Sequence, residues 1–332
     1  MGTREWTPGE MLELSGSYWR TCALHAGVKL DVFTVLDGED RSAAETATTI
    51  GASADGVERL MNALAAMGLL EHRGGRYRCP ASVRSLLSRS SAGYLGHIIL
   101  HHHHLMASWA HLHEAVASGR PVGDEPKPVS REEWRESFLL GMFNMAMGLA
   151  PQVAAALDLA GCRRLLDLGG GPGTYAIHFC LRNPELTATV YDLPATRPFA
   201  EGTIERFNLA ERIRFTPGNY LEDPVAGRYE AVWLSHILHG EGPEDCLNIL
   251  RKAVGALEPG GRVIVHEFIL DDTKDGPIFP ALFSLNMLQG TERGRSYSGA
   301  ELTGLMSAAG ARDIRRIPLR TPNDSGILTG VA

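Results

Sequence analysis

The sequence lacks the features of a secreted, membrane-spanning or disulfide-stabilised protein. It has no uninterrupted run of about 18 apolar residues, and its N-terminal segment, MGTREWTPGEMLEL, lacks the apolar stretch of a signal peptide. Its five cysteines are scattered, without a CxxC or CxxxH spacing, so we expect free thiols rather than disulfides or a structural zinc site. We therefore expect a cytoplasmic protein without a membrane partner.

Basic residues are too few for a protein whose main partner is nucleic acid. The chain has 32 Lys and Arg against 39 Asp and Glu, a formal net charge of −7. Binding to a nucleic-acid backbone relies on clustered Lys and Arg, so we expect no nucleic-acid partner. Apolar residues make up 44% of the 332 residues, which is ordinary for a globular protein and enough for about two domains.

The first 95 residues have the pattern of a winged-helix domain. Apolar positions at helical spacing span residues 10–36, and Ser42 and Ser53 are suitable N-caps for two further helices. Three helices are therefore expected before Gly68. Residues 69–78 then predict two short strands joined by a Gly-Gly turn.

A winged helix suggests a DNA-binding regulator that senses a metabolite, which is one alternative function. Residues 1–95 carry ten Lys and Arg against eleven Asp and Glu, and the helix 53–67 that would contact DNA has Arg59 as its one basic residue. This balance disfavours DNA binding. We expect instead that the apolar segment Leu12–Phe33 forms the interface of a two-fold homodimer.

A histidine-rich stretch opens the segment 96–150, which is expected to connect the domains and to line a substrate pocket. A helix is predicted over residues 96–117, where His97, His101 and His104 share one face. Packed histidines are the preferred interpretation. A metal site on that face is the alternative.

A second helix, predicted over residues 132–147, is rich in Met and Phe at helical spacing, typical of either a core or an apolar pocket wall. The Gly- and Pro-rich residues 117–131 before it are predicted to form a loop. The predicted substrate-pocket residues are Trp109, Phe138, Met142, Phe143, His236, Phe283 and Met287.

Residues 151–332 alternate strands and helices, which predicts a Rossmann-like, doubly wound parallel sheet. The fold class expected for the chain is therefore α/β, with this domain preceded by the mainly helical winged-helix domain. In such sheets ligands bind at the carboxyl ends of the strands. The predicted strands are 163–167, 188–191, 213–216, 229–234 and 262–268.

A glycine-rich loop follows the first of these strands. It has a DxGxGxG spacing, with Asp167, Gly169, Gly171 and Gly173, instead of the GxGxxG of dinucleotide sites, which disfavours a nicotinamide dehydrogenase. The glycines allow a sharp turn and the close approach of a ligand. The acid suits an amino-acid ammonium group rather than a phosphate. This loop predicts a site for S-adenosylmethionine (SAM), whose product is S-adenosylhomocysteine.

Further polar residues follow the other strands. Asp192 ends the second strand, 25 residues after Asp167, where an acid accepts hydrogen bonds from ribose hydroxyls. Asn219 and Tyr220 follow the third strand, suited to the edge and face of adenine. The complete predicted cofactor set is Asp167, Gly169, Gly171, Asp192, Leu193, Asn219, Tyr220 and Ser235.

These motifs resemble those of the metal-independent class I SAM-dependent O-methyltransferases that carry an N-terminal winged-helix dimerisation domain, as in plant phenolic metabolism and bacterial polyketide tailoring. The resemblance covers nearly the whole chain. It implies a dimerisation domain over 1–95, a helical linker over 96–150 and a methyltransferase domain over 151–332. The motifs are DLGGGPG (167–173), YDLP (191–194), PGNY (217–220), LHGEGPEDC (238–246) and LEPGGRVIVHE (257–267).

The resemblance also implies catalytic residues. In that family the histidine seven residues before the cysteine is the base, which corresponds to His239, and the acid 28 residues later corresponds to Glu267. The implied reaction is methyl transfer from SAM, without a metal, to a hydroxyl of an apolar, aromatic or polyketide-like small molecule. A neutral histidine suits this role, and an acid fixes its tautomer.

The chain departs from the family pattern at three places. Asn219 replaces the usual Asp, although its amide oxygen still accepts a hydrogen bond. Gly240 and Glu241 replace the Asp-Trp that follows the base, which changes the mouth of the pocket. A second family acid is absent in register, with Glu292 as the candidate to replace it.

Two alternatives remain within the resemblance. His236, three residues before His239, is the alternative base. Some family members methylate carbon, and others bind SAM without transferring its methyl group. The spacing of His239 and Glu267 favours O-methylation over both.

Overall fold

The computed structural model describes residues 5–122 and 131–332, with side chains from residue 135 onward in the second segment. These residues fall into two compact units, one formed by 5–105 and 131–144, the other by 106–122 and 145–332. The predicted loop 117–131 lies mostly outside the described residues.

The smaller unit is mainly helical and contains a two-stranded ribbon. The boundary between the two units falls inside its last two helices, so each of these is shared with the larger unit. In chain order the elements are α1 (Pro8–Gly16), α2 (Tyr18–Lys29), α3 (Val32–Val35), α4 (Ala43–Ile50), α5 (Ala54–Ala66), β1 (Glu71–Arg73), β2 (Arg76–Arg78), α6 (Ala81–Leu87), α7 (Gly96–Ala110) and α9 (Arg131–Ala156).

The prediction of three helices before Gly68 is wrong, because residues 5–67, the part of this stretch that the structure describes, form five. Residues 10–36 form α1, α2 and α3 instead of a single helix. Asp31, between α2 and α3, has a φ of 62°, which a continuous right-handed helix does not include. The apolar period continues across these breaks, so it gave no sign of them.

The two predicted caps and the ribbon are confirmed. Ser42 forms a capping box with Glu45 at the start of α4, and Ser53 accepts a hydrogen bond from the first turn of α5. β1 and β2 pair antiparallel across Gly74 and Gly75, whose φ angles are 57° and 75°. Two successive left-handed residues match the twist of a tight hairpin.

The larger unit is built on a seven-stranded sheet with helices on its faces. Two short 3-10 helices, Pro194–Thr196 and Leu238–Gly240, follow strand ends. The other elements are α8 (Leu112–Ser118), β3 (Arg164–Leu168), α10 (Thr174–Arg182), β4 (Thr187–Asp192), α11 (Arg197–Arg206), β5 (Ile213–Pro217), β6 (Tyr229–Ser235), α12 (Pro243–Gly255), β7 (Leu257–Phe268), α13 (Ile278–Gly290), α14 (Gly299–Ala308), β8 (Arg312–Ile317) and β9 (Ser325–Val331).

The strand order is β5-β4-β3-β6-β7-β9-β8, and the first five strands are parallel. The chain runs outward from β3 through β4 to β5 and then returns to the other side of β3. In α/β sheets such a reversal marks the place where ligands bind, at the carboxyl ends of the strands, which here are those of β3 and β6. The predicted α/β class, with a doubly wound domain after a helical one, is confirmed.

The antiparallel strands β8 and β9 were not predicted. β9 pairs with β7 from Arg262↔Val331 to Phe268↔Ser325 and thereby buries the last parallel strand on both edges. The signal was present in the apolar residues of 325–331, which begin after a turn-forming Asn-Asp pair.

One helical stretch, Arg135–Ala156 within α9, is long and apolar enough to cross a membrane by length and composition, with a mean hydropathy of 1.4. The sequence predicts no membrane span, because it has no uninterrupted run of about 18 apolar residues. Core helices pass the same test, and 39% of the most apolar window is buried.

Candidate active site

The strand register brings the predicted site residues of the larger unit to one edge of the sheet. Leu168 of β3 lies level with Tyr191 of β4 and with Leu234 of β6, and Ser235 lies level with His266 of β7. The loops after these strands therefore begin at nearly the same height. Cofactor and catalytic candidates from distant parts of the sequence meet there.

The glycine-rich loop connects β3 to α10 through three glycines in the left-handed region. Gly169, Gly171 and Gly173 have φ angles of 70°, 53° and 77°, which residues with a Cβ rarely adopt. A Cβ on Gly169 would lie 2.6 Å from Cγ2 of Ile237, whereas one on Gly171 would meet no described heavy atom within 4 Å. The loop is therefore packed at Gly169 and open at Gly171.

The carboxylate of Asp192 holds this loop in place. Its Oδ2 accepts a hydrogen bond from the backbone N–H of Gly171 at 2.8 Å. Its Oδ1 accepts from the N–H of Leu193 at 2.7 Å and from the hydroxyl of Thr196 at 2.9 Å. A carboxylate has about four acceptor positions, so Oδ2 retains capacity for a ligand hydroxyl.

Asp167 lies beneath the loop and is 1% exposed. Its Oδ2 accepts from the N–H of Ala176 at 3.3 Å, while Oδ1 is buried with no partner among the described residues. Burial raises the pKa of Asp167 to about 7, against the opposing effect of the Ala176 N–H and with a contribution from Asp192. A Cβ on Gly170 would lie 2.6 Å from its carboxyl carbon, so this acid packs directly under the glycines.

Asn219 and Tyr220 follow β5 in a tight turn. The side-chain oxygen of Asn219 accepts from the N–H of Leu221 at 3.0 Å, an Asx turn that Asp and Asn form equally well. The hydroxyl of Tyr220 donates to Oε1 of Glu241 at 3.3 Å. Burial raises the pKa of Glu241, against the lowering effect of this hydrogen bond. Glu241 thus connects the β5 turn with the loop after β6.

His239 and Glu267 meet at the end of β7. Oε2 of Glu267 lies 2.7 Å from Nδ1 of His239, and Oε1 accepts from the backbone N–H of Leu238 at 2.8 Å and of His239 at 3.3 Å. Burial alone would raise the pKa of Glu267, but the positive potential of the histidines and their hydrogen bonds hold it below its ordinary value. An ionised carboxylate only accepts, so Nδ1 of His239 carries the proton.

His236 lies beside this pair, with Nδ1 3.6 Å from Oε2 of Glu267. Its φ of 56° is left-handed, and its ring packs on Phe268 with 4.1 Å between centroids. Burial lowers the pKa of His236, although Glu267 opposes that effect. The second histidine is therefore neutral at ordinary pH and faces the same carboxylate.

The loop that carries His239 is held by residues that the sequence analysis missed. The N–H of Arg295 donates to the carbonyl of His239 at 2.8 Å, and the hydroxyl of Tyr297 donates to the carbonyl of Glu241 at 2.6 Å. The thiol of Cys246 lies 3.1 Å from the carbonyl of Leu238. Only the cysteine had a signal in the sequence, through its spacing from the histidine.

A row of buried hydrogen bonds that joins β6, β7 and β9 was also not predicted from the sequence. Oγ of Ser235 lies 2.9 Å from Nδ1 of His266, and Nε2 of His266 lies 3.0 Å from Oγ of Ser325. Burial lowers the pKa of His266 well below its ordinary value. Ser235, a predicted cofactor residue, is thus positioned by a neutral histidine from the next strand.

Aromatic side chains surround His239 within the larger unit. The ring centroid of Phe283 lies 4.8 Å from that of His239, and Phe268 lies 4.6 Å from Phe283. Trp109 donates its indole N–H to Oδ1 of Asn286 at 3.0 Å, on the same helix as Phe283 and Met287. Phe138, Met142 and Phe143 belong to the smaller unit.

The candidate second acid and the candidate metal site on the histidine-rich helix lie in different surroundings. Glu292 is exposed. His101 and His104 are buried, and Nδ1 of His104 lies 3.3 Å from Oγ of Ser137. Among the described residues, His236, His239 and Glu267 form the one cluster with metal-binding geometry, so the helix histidines do not converge on a common point.

Comparison with known proteins gives two family matches along the chain. An O-methyltransferase dimerisation domain matches residues 12–88, and an O-methyltransferase domain matches residues 109–312. Together they cover most of the sequence.

Individual relatives agree with these matches. The chain is 36% identical to the 3-hydroxy-5-methyl-1-naphthoate 3-O-methyltransferase of Streptomyces sahachiroi, over 98% of this chain and 95% of the relative. It is 32% identical to the tetracenomycin polyketide synthesis 8-O-methyl transferase TcmO of Streptomyces glaucescens, over 96% of each. Its structure matches human N-acetylserotonin methyltransferase in complex with SAM, with a TM-score of 0.88, 26% identity, and 100% and 99% of the two chains covered.

Proposed function

The chain belongs to the SAM-dependent O-methyltransferases with an N-terminal dimerisation domain, and from that membership we propose how it activates and selects its acceptor. It is an enzyme that transfers the methyl group of SAM to oxygen. We propose that the oxygen is a phenolic hydroxyl of an apolar, aromatic or polyketide-like small molecule and that His239 removes its proton. The 2.7 Å contact between Nδ1 of His239 and Oε2 of Glu267 carries this proposal.

The edge of the sheet around the glycine loop fits SAM. The open face at Gly171 admits the methionine portion without a Cβ in its way, and Gly169 shapes the same turn. Asp192 retains an acceptor for a ribose hydroxyl, with Leu193 beside it. The buried Oδ1 of Asp167, which has no partner among the described residues, suits a site that receives a cationic ligand.

Adenine has its proposed place at the turn after β5. Asn219 supplies an amide, Tyr220 a ring, and Ser235 closes the site from β6. Bound SAM supplies an electrophilic methyl group on a sulfonium. The chain's own task is to align the acceptor oxygen with that methyl group and to remove the proton from the oxygen.

His239 is suited to that proton transfer. Its Nδ1–H is engaged by Glu267, which leaves the lone pair on Nε2, and Nε2 has no hydrogen-bond partner in the part of the chain that the structure describes. When Nε2 takes the acceptor's proton, the ring becomes cationic. The ionised Glu267 stabilises that charge and holds the ring orientation, as the third member of a nucleophile–base triad does. No step in this route requires a metal.

The acceptor class follows from the surroundings of the base. Phe268, Phe279 and Phe283 form a contiguous aromatic cluster next to His239, with 4.9 Å between the rings of Phe268 and Phe279. Aromatic walls favour flat apolar ligands. The two Streptomyces relatives are named for a naphthoate and for tetracenomycin polyketide synthesis, which supports the same class. Trp109, Met287 and His236, all in the larger unit, are proposed residues of this pocket.

We further propose that the protein is a homodimer. The dimerisation-domain match covers residues 12–88, and α1 and α2 present a large apolar surface, which marks an interface. Light scattering at micromolar concentration tests this, since a monomer mass contradicts it. The exposed apolar residues of this surface are Trp6 (46%), just before α1, and Met11 (49%), Leu12 (73%), Leu14 (57%), Tyr18 (54%) and Trp19 (68%) on α1 and α2.

The remaining expectations complete the proposal. We propose a dimerisation domain over 1–95, a linker over 96–150 and the methyltransferase domain over 151–332. The excess of acidic over basic residues supports the absence of a nucleic-acid partner. All five cysteines are free thiols, which supports a cytoplasmic location.

The experiment that tests the proposal uses paired acceptors and methyl-labelled SAM. A set of naphthols and hydroxylated polycyclic acids is incubated with the enzyme, and each phenol is paired with its own methyl ether. O-methylation predicts label in the phenols and none in the ethers. Label in both members of a pair would show transfer to an atom other than the phenolic oxygen and would contradict the proposed acceptor group. SAM binding without label in any aromatic acceptor would contradict the proposed acceptor class.

A further inference from the structure

His236 directs a ring nitrogen at the carboxylate that serves His239. Its Nδ1 is buried, lies 3.6 Å from Oε2 of Glu267 and has no hydrogen-bond partner among the described residues. The proton transfer proposed above uses His239 and Glu267 and gives this nitrogen no task. This nitrogen and the neighbouring carboxylate are both atoms that can ligate a metal ion.

The three side chains have the composition and spacing of a zinc site. One ring nitrogen from each histidine and one carboxylate oxygen lie within 4.8 Å of one another. Donors bound to tetrahedral zinc at about 2.0–2.1 Å are about 3.3–3.4 Å apart. Oε2 of Glu267 lies 2.7 Å from Nδ1 of His239 and 3.6 Å from Nδ1 of His236. One distance is shorter and the other longer than the separation expected around zinc. Two histidines and a carboxylate with an open fourth position is a known zinc ligand set.

We propose that His236, His239 and Glu267 form an inhibitory binding site for a divalent cation of the zinc type. Oε1 of Glu267 is engaged by the backbone N–H groups of Leu238 and His239, which leaves Oε2 as the ligand atom. The carboxylate is 2% exposed and ionised, so a bound cation compensates a buried negative charge.

Metal binding and base catalysis exclude each other at His239. As a base, the ring keeps its proton on Nδ1 and receives the acceptor's proton at Nε2. As a ligand through Nδ1, the ring changes tautomer: the Nδ1 proton leaves to solvent and Nε2 takes one proton from solvent, so the imidazole stays neutral with its single proton on Nε2. The nitrogen that faces the acceptor becomes a donor. Inhibition therefore rests on the proposed role of His239, whereas metal binding itself does not.

The test measures zinc binding and turnover in parallel, in a Cys22→Ser background that removes the exposed thiol. His236→Asn deletes one ligand, and Asn tolerates the left-handed backbone of this position. His113→Asn is the matched control, since the side chain of His113 is 79% exposed and lies 3.9 Å from Glu114. His236→Gly is the second variant at the same φ, in case His236→Asn does not fold.

The expected result is one calorimetric zinc site that His236→Asn weakens at least about tenfold, as loss of metal-site partners does. The half-inhibitory zinc concentration, scaled to each variant's own zinc-free rate, rises by the same factor. Chelator restores the rate, and the His113→Asn control matches the parent. Equal zinc affinity in His236→Asn and the control would overturn the site. Zinc bound at a His236-dependent site without loss of turnover would overturn the inhibition, whereas the role of His239 as the base is decided separately by the turnover of His239→Ala.

Discussion

Glu267 holds His239 by both its ring and its backbone. Oε2 of the acid lies 2.7 Å from Nδ1, and Oε1 accepts the backbone N–H at 3.3 Å. One buried carboxylate therefore fixes the tautomer, the ring orientation and the loop position of the proposed base.

Replacement of Glu267 by Gln removes the charge and keeps the shape. We expect kcat to fall by about 100-fold or more, because the cationic ring loses its stabilising partner and Nδ1–H its ionised acceptor. The dissociation constant of SAM should change by less than about threefold, since the acid is not in the cofactor set. Glu185→Gln, at an exposed position before β4, is the control. Unchanged kcat in Glu267→Gln would refute the positioning role.

Replacement of Asp192 by Asn should act on the cofactor. An amide has one oxygen that accepts hydrogen bonds and one nitrogen that does not. Either the N–H of Gly171, or the N–H of Leu193 together with the hydroxyl of Thr196, therefore loses its acceptor. Hydrogen bonds to charged groups contribute about 1.5–3 kcal/mol, so we expect SAM to bind about 10–100-fold more weakly by calorimetry. Asp158→Asn, which removes a carboxylate that caps Ala160 elsewhere, should leave SAM affinity unchanged. Equal affinities in the two variants would argue against a cofactor role for Asp192.

Replacement of Tyr297 by Phe tests the support of the catalytic loop. It deletes the 2.6 Å hydrogen bond to the carbonyl of Glu241, worth about 1 kcal/mol. We expect a several-fold fall in kcat with little change in the KM for SAM, because the loop of His239 loosens while the cofactor residues stay. Tyr229→Phe deletes a comparable bond, to the carbonyl of Ala226 at 3.2 Å, away from the loop. Equal kcat in both variants would show that Tyr297 supports stability alone.

Asp167 should make the SAM-free protein less stable as pH rises. Its pKa is about 7 in the folded chain against an ordinary value of 3.8, so the folded state binds more protons between these values. The free energy of unfolding then falls as pH rises through this window, by about 4 kcal/mol at about 1.36 kcal/mol per pKa unit.

Asp167→Asn stays neutral and should lose less stability between pH 5 and 8 than the parent. Scanning calorimetry measures the stability of both proteins across this pH range. Because both contain the same histidines, the histidine contribution cancels when the two profiles are subtracted. Parallel stability profiles would mean that the carboxyl is ionised throughout this range.

The sheet and the core of the site were predictable because their signals are local. Alternating strands and helices, the glycine spacing after β3 and the positions of His239 and Glu267 within their motifs all lie in short stretches. Each of these signals places residues at the carboxyl end of a strand. The carboxyl ends of parallel strands lie at the same edge of the sheet.

The remaining features depend on contacts between distant segments. The support from Arg295 and Tyr297 joins residues 56 apart, and the Ser235–His266–Ser325 chain spans three strands. The break at Asp31 depends on a left-handed residue in a sequence whose apolar period runs through it. The spacing of apolar residues predicts which face of a helix is buried, but it does not predict where the backbone leaves the helical conformation.

The decisive measurement for His239 as the base is the turnover of His239→Ala on an identified phenolic acceptor, with SAM binding measured in the same preparation. We expect kcat to fall by about 100-fold to 10,000-fold with SAM still bound. Near-unchanged turnover with SAM bound would contradict it.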